Sequence, residues 1–247
     1  MRKKAYPPEK LNIHNTHSEI KILSMKYILF AAALLLSLNL TGQVQFGLFA
    51  GPQATTVRYI IDEEKQDNSF KYGFQVGGLW KVPFEGRLSF SPSIQYNLRG
   101  YKVKFNKPSF PPDESAVDNN TSFHTIELGF LLQHDFSNAP SHWFFRIGPS
   151  LDFALFGKEE FNTSNNGFKK QDMKFSFADY GHFLASAIAQ LGYESASGVF
   201  IYAHYNYSLT TMNNADIGPA INNRAIGISI GKYFNRKNLV LDTKNKE

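Results

Sequence analysis

The chain has 247 residues, 15% of them aromatic, with 26 basic side chains against 21 acidic and no cysteine. That length suits one sizeable domain or barrel, and the missing cysteine excludes a disulfide framework and thiolate metal ligands. Residues 1–42 hold six basic and two acidic side chains, so the chain beyond them is close to neutral and the electrostatic case for a nucleic-acid partner falls away.

Residues 1–24 contain Pro7-Pro8 and no apolar periodicity, and read as a disordered leader or a mis-assigned start upstream of Met25. Residues 25–42 read as a signal peptide. Lys26 supplies the positive end, Tyr27 to Leu38 the apolar run, and Thr41-Gly42 the small residues before Gln43. The run is too short for a spanning helix, which needs about 20 residues.

The first strand begins with Val44, Phe46, Leu48 and Ala50 and runs to about Ile60, and Asp62 to Ser69 is a charged connection. Phe70 to Tyr101 then reads as a hairpin turning at Pro83-Phe84-Glu85-Gly86. Its first arm places Tyr72, Phe74, Val76 and Trp80 on one face. In the second arm, Leu88, Phe90, Pro92, Ile94, Tyr96 and Leu98 alternate with Arg87, Ser89, Ser91, Ser93, Gln95, Asn97 and Arg99. Successive strand side chains point to opposite faces, so one face is apolar and the other polar and charged. Each arm exceeds the usual strand of about 5–6 residues and matches the 9–11 or so of a tilted membrane-spanning strand.

A polar, proline-rich stretch follows over about 102–121, including Phe105 and Phe110. The fourth strand spans about 122–136, with Ile126, Leu128, Phe130 and Leu132 opposite Thr125, Glu127 and Gln133. After a short turn, Phe145, Ile147, Leu151 and Phe153 alternate with Arg146, Ser150 and Asp152 in the fifth. A second long loop is expected over 157–174, containing Glu159, Glu160, Phe161, Phe168, Lys169 and Lys170. The sixth strand (about 177–194) is alanine-rich, but its period of two sets Phe183, Ala185, Ala187, Ala189 and Leu191 on one face. The seventh starts at Val199 after a tight turn. A loop over 212–222 precedes the last strand, about 223–234, and residues 235–247 form a polar tail.

This pattern predicts an all-β fold: an eight-stranded antiparallel up-and-down transmembrane β-barrel over residues 43–234. Its connections alternate long and short, as short periplasmic turns and long outer loops do in bacterial outer-membrane barrels. Tyr72, Trp80, Tyr101, Trp143, Tyr193 and Tyr233 suit interfacial girdles. Arg87, Arg99, Glu127, Arg146 and Asp152 fall on the inward face and are expected to form a structural polar network, because buried charges must be paired.

Further marks are Phe46-Gly47 with Ala50-Gly51, Leu88 to Tyr96 as Leu-x-Phe-x-Pro-x-Ile-x-Tyr, Tyr205 to Thr210 as Tyr-Asn-Tyr-x-Leu-Thr, and Gly231 to Phe234 as Gly-Lys-Tyr-Phe. In these the chain resembles the PorT-like outer-membrane β-barrel family of Bacteroidetes-type bacteria, departing from it in the tail after Phe234. The resemblance implies fold and location, and says little of activity.

Two other readings are open to the same residues. A soluble lipocalin-like barrel carries its apolar face inward around a ligand. A lipid-modifying barrel enzyme would draw on His182, Ser186, His204, Asp152 and Glu127, although no motif fixes their spacing. The favoured expectation is a monomeric, non-enzymatic outer-membrane protein without cofactor or metal. It meets outer-membrane lipid and acts through its loops in envelope structure, adhesion or docking of a secretion-system component. The candidate binding surface is Phe105, Phe110, Glu159, Glu160, Phe161, Phe168, Lys169 and Lys170.

Overall fold

The computed structural model describes residues 44–165, 167–215 and 218–234. The expected leader (1–24), signal peptide (25–42) and tail (235–247) lie outside the described residues.

In chain order the strands are β1 (Gln45–Ile61), β2 (Glu64–Lys65), β3 (Asp67–Ser69), β4 (Lys71–Glu85), β5 (Leu88–Lys104), β6 (Asp118–Asp135), β7 (His142–Asn162), β8 (Phe168–Asp172), β9 (Phe183–Glu194), β10 (Val199–Ser208) and β11 (Ala220–Tyr233). Eight of them are long and pair antiparallel in the order β1-β4-β5-β6-β7-β9-β10-β11. The ring closes where β11 returns to β1, from Gly47 opposite Tyr233 to Ile60 opposite Ala220. Closure gives each of these eight strands two neighbours, so no backbone edge of the ring faces hydrocarbon.

Solvent exposure along the closed strands shows which face points outward. Ile94, Phe130, Ile147, Leu151, Ile201 and Ile228 are all exposed, whereas Gln75, Asn97, Gln133, Arg146, Ser186 and Ser229 are buried. Ile147 is 51% exposed and its neighbour Arg146 only 1%. A barrel with its polar side chains inside and aliphatic ones outside is built for a lipid solvent. The lipocalin-like alternative, which needs the reverse, is overturned. The alanine-rich sixth strand is indeed extended, as β9, held along its length by β7 and β10.

Two short turns use glycine where the backbone turns left-handed, Gly86 with φ of 54° and Gly198 with φ of 80°, a region closed to most side chains. At this end Phe46 lies 5.2 Å from Trp80, and Trp143 lies 5.5 Å from Tyr193, ring centre to ring centre. These rings form an interfacial belt. Two expected members do not belong to it: Tyr101 and Tyr233 are buried and point into the barrel.

The other end departs most from expectation. Asp62–Ser69 is a tight hairpin, with Asp62 and Glu63 at φ of 46° and 67°; β2 returns on β1, and β3 pairs with the top of β5. β5 and β6 stay paired up to Lys104 and Asp118. The loop expected over 157–174 is instead the continuation of β7 to Asn162 and the paired strand β8. Conversely, β9 starts at Phe183, and residues expected to begin the sixth strand at 177 form a turn.

Candidate functional site: a sealed lumen under a folded outer cap

Four layers of inward side chains fill the barrel. At the short-turn mouth, Lys81 Nζ lies 2.7 Å from Asp135 and 3.0 Å from Glu194, and His142 Nε2 stands 3.3 Å from Asp135. None of these four was singled out from sequence. The available signal was a charged residue at an inward position near a strand end, repeated on β4, β6, β7 and β9. Above them Arg146 donates to Gln133 (2.6 Å), Gln190 (3.1 Å) and the Tyr233 hydroxyl (2.8 Å). Its guanidinium sits 4.1 Å over the Phe144 ring, a cation–π contact strengthened by exclusion of water. Phe49, Leu79, Phe200 and Tyr202 pack the same layer.

At mid-barrel Arg99 donates to Asp152 at 2.9 Å and to Glu127. Asn97 (3.1 Å) and Asn206 (3.2 Å) also donate to Glu127, and Ser186 donates to Asp152 at 3.1 Å. The structure thus brings together three of the five expected lumen charges, with Arg146 in the layer below. Arg87 does not join them. It follows the Gly86 turn, is exposed, and donates to the Phe136 carbonyl at 2.6 Å. Arg87 lies in the turn before β5 begins at Leu88, so the alternation of that strand does not extend to it.

The topmost layer is apolar and belongs to the cap. Val57, Tyr59, Tyr101, Phe105, Phe123, Phe161, Met173, Tyr180, Met212 and Ile221 form one buried cluster. The outer connections are knitted over it. Tyr59 bonds to Ser109 at 2.7 Å and Pro111 at 2.9 Å. Ala116 bridges to Thr163, and Tyr180 to Asn213. Glu159 is buried and accepts from Tyr180, Asn119 and Gln171; burial pushes its carboxyl up from the ordinary value, against those hydrogen bonds. On the surface Lys169 reaches Asp113 at 2.7 Å, and that hydrogen bond holds the Asp113 carboxyl down at about 2.

The candidate loop surface therefore divides. Phe105, Glu159 and Phe161 are buried and hold the cap together, which removes them from any binding surface. Phe110, Glu160, Phe168, Lys169 and Lys170 remain at the surface. Phe177, which sequence alone placed in a strand, is 96% exposed at the tip of the β8–β9 connection.

Of the residues weighed for catalysis, Ser186, Asp152 and Glu127 share the mid-barrel network around Arg99, and the two histidines stand apart from it. His182 bonds to the Ala154 carbonyl at 2.8 Å and stacks on Phe153 and Phe175 at the rim. His204 lies in the lumen beside Gln75, and the Ser186 hydroxyl is spent on Asp152. Neither histidine bonds to Ser186, and the Asp152 carboxylate that does is itself paired to Arg99.

A closed eight-stranded barrel, apolar outside and sealed within, is an integral outer-membrane barrel. Residues 32–214 match the outer membrane protein beta-barrel domain family. The chain belongs to that family and, with it, to the bacterial outer membrane. Similar solved structures include Ail, the attachment invasion locus protein of Yersinia pestis, at 14% identity and TM-score 0.41, over 77% of this chain and 99% of that one. Neisserial surface protein A (10%, TM-score 0.43, 78% and 98%) and OprG of Pseudomonas aeruginosa (12%, TM-score 0.43, 77% and 95%) are others. No curated protein matches the chain.

Proposed function

We propose that the protein is a monomeric, non-enzymatic barrel of PorT-like type, exported by a cleaved signal peptide over residues 25–42, whose outer cap docks an envelope or secretion-system protein. The observation that carries this reading is the folded cap. A merely solvated loop fringe needs no buried core, yet here an apolar cluster and interlocked connections fix where Phe110, Phe168, Phe177, Lys169 and Lys170 stand. Rigid presentation of aromatic anchors beside charge lowers the ordering cost of association. The Arg146 and Arg99 layers fill the middle of the lumen, and the opening of about 590 Å³ around Lys81, Asp135, His142 and Glu194 lies at the short-turn mouth, away from the cap.

Photocrosslinkers at Phe168 and Phe177, and at Ser197 in an opposite turn, test the reading in intact cells. A protein adduct at the cap positions and none at Ser197 is expected; the reverse pattern would move the working surface to the periplasm. Lipid profiles unchanged by Ser186→Ala and His204→Ala are expected as well, and an altered acyl pattern would favour the enzyme.

A further inference from the structure

The outer wall carries a pocket of about 250 Å³ where the apolar belt ends. Three rungs of the β6–β7 ladder build it: His124 opposite Phe156, Ser122 opposite Lys158, and Asn120 opposite Glu160. The lowest rung is aromatic, with the His124 and Phe156 rings stacked at 4.3 Å and the Tyr96 hydroxyl bonded to His124. Below it the same face of β6 continues as Ile126, Leu128 and Phe130, so these rings are the last apolar step before charge begins.

Lys71 reaches the pocket from β4, across the intervening β5. Its path is opened by Gly100, where a Cβ would come within 2.8 Å of the Lys71 side chain and 2.3 Å of the Thr121 carbonyl. The ammonium ends 2.7 Å from Asn120 Oδ1 and 3.2 Å from the Thr121 carbonyl. Lys158 stands exposed on the next rung. The Glu160 carboxylate also lines the pocket, bonded to Lys170 at 2.6 Å, so the three lysines Lys71, Lys158 and Lys170 around this one carboxylate leave the pocket a surplus of positive charge.

We infer that this pocket binds the phosphate of a lipid headgroup in the outer leaflet, with Lys71 and Lys158 as charge partners, Ser122 as a hydroxyl donor, and the Tyr96–His124–Phe156 shelf beneath the first acyl segments. Lysine serves phosphate as a point charge, and each basic group at a membrane surface contributes enough to change association about fivefold. Position favours lipid over a soluble anion, because the aromatic rung at the pocket's floor continues directly into the lipid-facing wall.

The test uses the full chain refolded into phosphatidylcholine vesicles containing spin-labelled phosphatidic acid or, as its phosphate-free match, spin-labelled diacylglycerol. Lys71→Gln and Lys158→Gln are compared with Lys232→Gln, an exposed basic residue at the opposite end of the barrel. Folding is checked by heat-modifiable gel mobility. Wild type and Lys232→Gln should prefer phosphatidic acid, and the preference should fall about fivefold for each pocket lysine removed. Equal preference in all four proteins would overturn the inference. So would displacement of phosphatidic acid by inorganic phosphate at matched ionic strength, which would make the pocket a soluble-anion site.

Discussion

Arg99→Met offers the sharpest test of how the lumen is held. Arg99 is buried between Glu127 and Asp152, and its loss strands two carboxylates in the barrel's interior. Breaking a buried pair by removing one partner costs about 3–5 kcal/mol. The cost has a ceiling, because a stranded carboxylate can take up a proton. At pH 7 that costs an ordinary glutamic acid about 4 kcal/mol, and two such groups set a limit of about 8. The amides of Asn97 and Asn206 on Glu127, and the Ser186 and Thr125 hydroxyls on Asp152, hold the loss toward the lower end. We expect about 3–5 kcal/mol at pH 7. The triple variant Arg99→Met/Glu127→Gln/Asp152→Asn removes all three charges and keeps hydrogen-bonding groups, so it should recover most of the loss. Urea titration of folding in lipid vesicles, read by Trp80 and Trp143 fluorescence and by gel mobility, gives the numbers. A single-variant loss below about 1 kcal/mol, or a triple variant no more stable than the single, would refute the reasoning.

Other consequences can be measured on the same preparation. Ile94→Arg puts a charge on the lipid face and should cost about 2–4 kcal/mol at mid-bilayer. Ser229→Arg, buried beside Gln75, should act by crowding and respond little to bilayer thickness; equal tolerance of both would contradict the facing of the strands. Planar-bilayer recording should show no steady conductance, since the Arg146 and Arg99 layers plug the middle of the lumen, and a stable open channel would mean that one of them is displaced. Because burial raises the Glu159 carboxyl in the folded cap, the folded state binds the proton more tightly than the unfolded chain. That contribution to cap stability is fully present below the unfolded value of about 4.3 and is lost as pH rises through the higher folded value. Proteolysis at the exposed Lys174 should quicken over that interval in wild type and not in Glu159→Gln.

The sequence by itself determined the barrel, because strand alternation is local: Leu88 to Leu98 and their polar partners state a two-faced strand whatever surrounds them. Strand number and the order of long and short connections could likewise be counted, and they put Arg99, Glu127, Arg146 and Asp152 on one face. Alternation alone does not say whether that face is inside. Only closure of β11 on β1 decided it, burying Arg146 and leaving Ile147 to the lipid. Counting also failed at a strand end and where the pairing shifts register. Arg87 lies in the turn ahead of Leu88, outside the alternation of β5, and an irregularity opposite His124 and Thr125 resets β7. The cap was least legible. Polar runs containing Pro111, Pro112, Lys169 and Lys170 look like loops in isolation; they become a folded lid through contacts between segments far apart in the chain, such as Tyr59 with Pro111 and Glu159 with Tyr180. Phe105 and Phe161 read as binding residues for the same reason: whether an aromatic side chain in a connection is an anchor or a core residue depends on what the other connections place over it.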